Sequence, residues 1–425
     1  MRNAIRRLSL SALAWILVGF LISYLLFFYR PIYENSHHTM FFPSYVPTFM
    51  NVGSDLQALL DWNRSWITGV GNPYRDYYFF NPPLTVILYA VFSYLPFSLC
   101  FRIASGLTMT FFFFSAFIFP LAYTGKRSVS PLLLLLFALG LISYGFQFEL
   151  ERGQFNVVAT GCALLAVWIY RAAPRYRIVA FLLFTLAVQL KIYPAIFLLL
   201  FFEGWGAWRR NLRDVGFILL LNIGLLFILG VQNLVDFVHI LGNVIQQPYI
   251  WIGNMSAKSF AVQAFPGNPS ILMVLIFGLW FLCLVVSLWF VIKHPGNMAR
   301  GYLFLVCTVG AMIIPPVSHD YKLPLLIAPV SILLEGISLS TRNPFLRIGR
   351  IIVLVSCSAA FAATLYSFTN KIFIPGIGDT PISLLVQNNL PSLMVLLIGF
   401  GFLAFTQNSD QEPPPFSREN PLPAT

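Results

Sequence analysis

Apolar runs of membrane-spanning length follow one another along this chain, and they constrain its fold more than any other feature. They fall at about 8–29, 83–99, 101–123, 129–147, 155–171, 178–202, 214–231, 270–292, 300–316, 323–339, 348–368 and 386–405. A bilayer core about 30 Å thick takes roughly 20 apolar residues as a helix. With no water at that depth, the backbone must close its hydrogen bonds internally, which a helix does within one segment. Charged residues make up only 10% of the 425, where a soluble domain carries about 25%. The expected fold is therefore an all-α polytopic membrane protein with a single transmembrane domain, residues 1–406. From Gln407 to residue 425 the chain is polar and Pro-rich, with Pro413-Pro414-Pro415, and reads as a disordered tail.

The formal net charge of +11 does not point to nucleic acid. Lys and Arg concentrate in short segments, Arg171–Arg177, Arg209–Arg213, Lys293–Arg300 and Arg342–Arg350, as the positive-inside rule requires of cytoplasmic loops. The basic N-terminus, Met1 to Arg7, leads into an apolar run too long for a cleaved signal peptide and without a small-residue cleavage site. A retained first helix then puts the loop 30–82 outside the cytoplasm. The five cysteines lie in apolar surroundings without paired spacing, so neither a disulfide framework nor a metal site is expected.

Two interruptions spoil a simple helix count. Lys191-Ile192-Tyr193-Pro194 breaks the run 178–202, and Leu95-Pro96 breaks 83–123. Broken helices at membrane depth are tolerated where they line a protein or water-filled cavity. About eleven to thirteen helices are expected, some short or re-entrant. Residues 232–269 read as a long loop.

The polar residues form islands. In the first outer loop, Ser54 is a good helix N-cap and Asp55 falls in the first turn, where the helix dipole favours an anion. Leu56, Leu59, Leu60, Asn63, Trp66 and Ile67 follow at helical spacing, so a short amphipathic helix on the bilayer surface is expected. Asp55 and Asp61, six residues apart, face different ways and do not make an acid–base pair. Lys191 sits within an apolar run, where a bare ammonium costs roughly 2.5–3.5 kcal/mol on insertion scales. Its partner is an acid such as Glu149 or Glu151, an anionic ligand such as a lipid phosphate, or simply a polar group on a neighbouring helix. Arg152, Gln154 and Asn156 stand at the mouth of the next helix, a suitable place for an anion. Asn254-Met255-Ser256 reads equally as an N-glycosylation sequon or as a site contact. His319-Asp320-Tyr321-Lys322 follows a Pro-Pro break between two apolar runs.

Seven short elements occur in order: Gly53-Ser54-Asp55, Asn72-Pro73-Tyr74, Phe80-Asn81-Pro82-Pro83, Gly153-Gln154-Phe155-Asn156, Leu190-Lys191-Ile192-Tyr193-Pro194, Gly253-Asn254-Met255-Ser256 and Ser318-His319-Asp320-Tyr321. Over roughly residues 50–340 this series resembles glycosyltransferase family 87, the polyprenyl-phosphate-mannose-dependent mannosyltransferases among the C-type membrane glycosyltransferases. Asn81 departs from the Tyr common before Pro-Pro, which bears on substrate fit. The resemblance implies a C-type glycosyltransferase fold and a sugar, mannose, carried on a polyprenyl phosphate. It implies a lipid-linked or exported glycan as acceptor and chemistry on the extracytoplasmic side of a bacterial plasma membrane. Asp55 would be the general base of an inverting displacement. Lys191, Arg152 and His319 would support the departing phosphate, and Tyr74, Gln154, Asn156, Asn254, Asp320 and Tyr321 would contact substrate. No metal or other cofactor is implied, and the chain has no Asp-x-Asp triplet. The competing class is a transporter or lipid flippase, which broken helices and an intramembrane Lys also fit, although no repeat of similar halves is visible. A non-catalytic scaffold would leave the ordered islands without purpose.

Overall fold

The computed structural model describes residues 52–336, except 78, 125–130, 142, 203–204, 251–252 and 294–295, together with 344–345, 347–349 and 388–409. The expected first span at 8–29, most of that at 348–368 and the tail beyond residue 409 lie outside the described residues. In chain order the helices are α1 (Ser54–Ile67), α2 (Pro83–Phe92), α3 (Phe97–Thr124), α4 (Pro131–Leu141), α5 (Tyr144–Arg152), α6 (Asn156–Ala172) and α7 (Arg177–Leu190). Then come α8 (Trp208–Leu226), α9 (Val231–Gln246), α10 (Ala257–Ala264), α11 (Pro269–Lys293), α12 (Asn297–Ile313), α13 (Ile327–Gly336) and α14 (Leu390–Ser409). Two longer 3-10 segments, Tyr193–Phe201 and Asp320–Leu326, interrupt the α-helical series. The described residues hold one isolated β-bridge, between Asn254 and His319, and no named strand. This is an all-α polytopic membrane protein.

Burial separates the helices by role. Almost every side chain of α12 is buried, from Tyr302 through Ile313, as expected of a helix apolar all round at the centre of a bundle. It packs against α11, α13, α14 and the 3-10 segment Tyr193–Phe201. By contrast α11 turns Ile271, Val274, Leu275, Phe281, Leu282, Val285 and Trp289 outward. Its 25 residues reach about 37 Å, enough to cross a bilayer core. A soluble protein rarely exposes such a continuous apolar face; lipid tails are its natural partner.

A second apolar cluster holds the first polar island in place. Leu56, Leu59 and Leu60 of α1 pack with Tyr74, Phe79, Val86, Tyr89 and Phe101, and with Phe237, Ile240 and Val244 of α9. The stripe expected on α1 is thus its buried face through Asn63, while Ile67 is exposed.

The structure revises several local expectations. Both broken runs are real. Helix α7 stops at Leu190, and Lys191 is extended (φ −149°, ψ 136°). The chain resumes at Tyr193 as a 3-10 segment rather than a second α-helix, with Pro194 in its first turn, where the missing N–H is tolerated. Helix α2 ends at Phe92, short of the expected 99, and α3 starts after Pro96. Residues 232–269 are not a loop: they contain α9 and α10. Between α8 and α9 the chain bends by 103°. The last helix starts after Asn388-Asn389 and runs to Ser409, past the expected boundary at 406.

Candidate active site

Two left-handed glycines bring the first polar island onto the fourth. Gly53 (φ 76°) precedes α1 and Gly153 (φ 66°) ends α5. The Gly53 N–H donates to the Glu151 carbonyl at 2.6 Å. A Cβ on Gly53 would lie 2.7 Å from Phe97 Cζ, and one on Gly153 would lie 2.8 Å from Leu56 Cβ. Only glycine combines this φ with so close an approach. Gly53, not Ser54, therefore occupies the N-cap position of α1, and the Ser54 Oγ instead accepts a hydrogen bond from Arg152 Nη1 at 3.0 Å.

This junction assembles Asp55, Arg152, Gln154 and Lys191. Gln154 Nε2 donates to Asp55 Oδ2 at 2.7 Å, and Lys191 Nζ donates to Gln154 Oε1 at 3.1 Å. Arg152 Nη1 lies 3.6 Å from Asp55 Oδ1. The Asp55 side chain retains 34% exposure against 12% for Arg152, so the carboxylate is reachable while its cationic neighbour is mostly covered. Of the alternatives open for Lys191, the direct contact is the amide of Gln154 rather than a carboxylate.

The mouth of α6 already holds an anion supplied by the chain. Glu149 is fully buried; its Oε1 accepts from the Val157 N–H at 3.0 Å and its Oε2 from Asn156 Nδ2 at 2.8 Å. These groups mark the positive end of the helix, the place expected for a ligand anion. Asn156 thus faces Glu149, and its carbonyl accepts from Tyr193 Oη at 3.0 Å.

The late polar island packs beside this group. The ring of Tyr321 contacts Phe148 and His319, and the Arg152 guanidinium lies 5.2 Å from the Phe148 centroid. Lys322 Nζ sits 4.5 Å over the ring of Tyr193. Helix α5 approaches so closely here that a Cβ on Gly145 would lie 2.6 Å from the Asp320 carbonyl oxygen. Burial, reinforced by Lys322, Arg152 and Lys191, lowers the His319 pKa to about 3, which keeps its imidazole neutral. Burial also raises Asp320 to about 7, opposed by a 2.9 Å hydrogen bond from Asn389 Nδ2.

Asn254 is a fastener between segments. Its Nδ2 donates to the carbonyls of Tyr249 and Pro316, and its Oδ1 accepts from the Ser256 and Ser318 N–H groups. It is fully buried, so the folded chain offers no glycosylation acceptor there. The Tyr74 hydroxyl donates to the Asn81 carbonyl and its ring packs on Phe79 and Phe237. Sequence reasoning passed over Asn388 and Asn389, which tie the start of α14 to Asn254 and Asp320. Two adjacent amides opening an apolar run were the available signal. Among the described residues, no three His, Cys, Asp or Glu side chains converge as a metal site requires.

Polar groups gathered at helix ends and breaks, inside a helical membrane bundle, define an integral-membrane protein with a built polar site. The family model of Glycosyltransferase family 87 matches residues 79–316, more than half of the chain, and the chain belongs to that family. It is therefore a glycosyltransferase, and the transporter and scaffold readings fall away. No curated protein matches the chain. The matched segment contains Arg152, Gln154, Asn156, Lys191 and Asn254; Asp55 and Tyr74 precede it, and His319, Asp320 and Tyr321 follow.

Proposed function

We propose that the enzyme transfers a sugar, mannose in the first instance, from a polyprenyl-phosphate donor to a hydroxyl of a lipid-linked or exported glycan, on the extracytoplasmic side of a bacterial plasma membrane. The observation that carries this reading is the partly exposed Asp55 carboxylate set against Arg152 and linked through Gln154 to Lys191. In this scheme Asp55 takes the acceptor proton as that oxygen attacks the anomeric carbon. The bond from that carbon to the phosphate oxygen breaks, its electron pair stays on the phosphate, and configuration inverts. A single carboxylate serves such a displacement, whereas a retaining route needs a nucleophile as well. The departing phosphate carries developing negative charge, which Arg152 and Lys191 stabilise as preorganised cations. His319, held neutral, contributes as a hydrogen-bonding group. The outward apolar faces of the bundle support a donor that arrives through the membrane.

The test is reconstitution in lipid with EDTA, offering a polyprenyl-phosphate-linked mannose and a nucleotide-linked mannose in separate reactions. Transfer from the lipid-linked donor alone is expected. Transfer only from the nucleotide sugar, or loss of transfer on chelation, would overturn the proposal.

A further inference from the structure

We propose that Gln154 is a positioning residue that locks the Asp55 carboxylate in its working orientation and joins it to Lys191, rather than a residue that contacts substrate. The inference rests on the reading of Asp55 as the base. A glutamine amide has a donor end and an acceptor end, and here each has one compatible neighbour. The NH2 end faces the Asp55 carboxylate and the carbonyl end faces the Lys191 ammonium, at 2.7 Å and 3.1 Å. Reversing the amide would set oxygen against carboxylate and NH2 against ammonium, so its orientation is imposed from both sides.

Gln154 is itself held. Its side chain is buried, and its backbone N–H donates to the Glu149 carbonyl at 3.0 Å, directly after the left-handed turn at Gly153. Asp55, by contrast, stands at the first turn of a helix with a third of its side chain exposed. An unsupported carboxylate there is free to rotate toward water or to close on Arg152. Hydrogen-bonded at Oδ2, it keeps one oxygen on the amide and the other turned to Arg152, 3.6 Å away. The same amide makes the state of the Lys191 ammonium felt at Asp55. One N–H and one carbonyl lone pair are committed to these two neighbours, so the amide is fixed in place before any substrate arrives.

The experiment measures kcat and KM separately, with a polyprenyl-phosphate-linked mannose as donor and an alkyl mannoside as acceptor, for purified protein in lipid nanodiscs. Gln154→Met should lower kcat about a hundredfold, the scale of a misplaced catalytic group, with donor and acceptor KM within twofold of the parent. Gln154→Glu has the same shape but sets a carboxylate against Asp55, and should lose at least as much kcat; it also serves if Gln154→Met folds poorly. In a double-mutant cycle, the kcat lost by Lys191→Met should be smaller when Gln154 is already Met, because the part relayed through the amide is then gone and only the lost cation at the departing phosphate remains. A parental kcat in Gln154→Glu overturns the proposal. So does a rise in KM at parental kcat, which would mean a substrate contact, and so does full additivity with Lys191→Met. Asp55→Asn run alongside separates the two ideas: if it retains turnover, the base assignment fails, whereas if it abolishes turnover while the Gln154 variants are parental, only the positioning role fails.

Discussion

Glu149 closes the amino end of the helix that begins at Asn156, receiving the Asn156 side-chain amide at 2.8 Å and the next backbone N–H at 3.0 Å. A buried carboxylate at the positive end of a helix, with two donors aimed at it, is integral to the fold. Glu149→Gln keeps the volume but turns one accepting oxygen into a donor, facing either Asn156 or Val157. Leaving one buried donor unsatisfied should cost about 1–3 kcal/mol. A lowered unfolding midpoint in detergent is expected, larger still for Glu149→Ala. A parental midpoint in both variants would show that the contact contributes nothing.

Asp55→Asn should abolish transfer while leaving the protein folded and able to bind the lipid-linked donor. Asp61 is the matched control on the same helix: it is exposed, and its carboxylate accepts from Gln57 Nε2 one turn away. Purified Asp61→Asn should turn over like the parent. Near-parental turnover by Asp55→Asn would remove it as the base.

Arg152→Gln and Lys191→Gln should each weaken donor binding, with phosphate-free polyprenol unaffected in the same assay. Arg152 also bonds Ser54 Oγ, so its loss should loosen the start of α1 as well. Donor binding unchanged in both variants would make these cations structural.

Asn254→Ala removes two donated and two accepted hydrogen bonds: those with Pro316 and Ser318 join the segment after α9 to the turn before Asp320, and those with Tyr249 and Ser256 brace that segment itself. At about 1 kcal/mol for each, the expected loss is roughly 3–4 kcal/mol. Thermal unfolding in detergent reads this directly, and a midpoint shift indistinguishable from zero would contradict it.

His319 gives the protein a dependence on pH. Its pKa falls from the ordinary 6.5 to about 3 in the fold, first through burial and then through nearby Lys322, Arg152 and Lys191. Between those values the unfolded chain binds a proton that the folded chain refuses, so stability rises with pH across this window and is lost on acidification below about 6.5. Buried Asp320, raised to about 7, has the opposite slope between its ordinary value and about 7, so the bulk curve mixes the two. The informative quantity is the fall in unfolding midpoint from pH 7 to pH 5 in the parent less that in His319→Gln. The parent should fall further; an equal fall would mean that His319 takes up its proton without penalty.

The amino-acid order by itself determined that this is an all-helical membrane protein, because spanning runs with so few charges have no other stable home. It also determined where the runs break, at Leu95-Pro96 and at Lys191–Pro194, because proline acts through local geometry. The polar islands were visible for a similar reason: a charge in an apolar run stands out without any knowledge of its neighbours. Which island meets which was decided only by tertiary packing. Asp55 and Gln154 are 99 positions apart, and they meet because Gly53 and Gly153 let two helix ends approach. The α6 mouth looked open to a ligand anion until packing filled it with Glu149, eight residues back from Val157 across a tight left-handed turn. Asn388 and Asn389 looked like the start of a span and are instead anchors for Asn254 and Asp320. A hydrogen bond needs its two atoms within about 3 Å of each other, and no local property of either residue specifies a partner so distant along the chain.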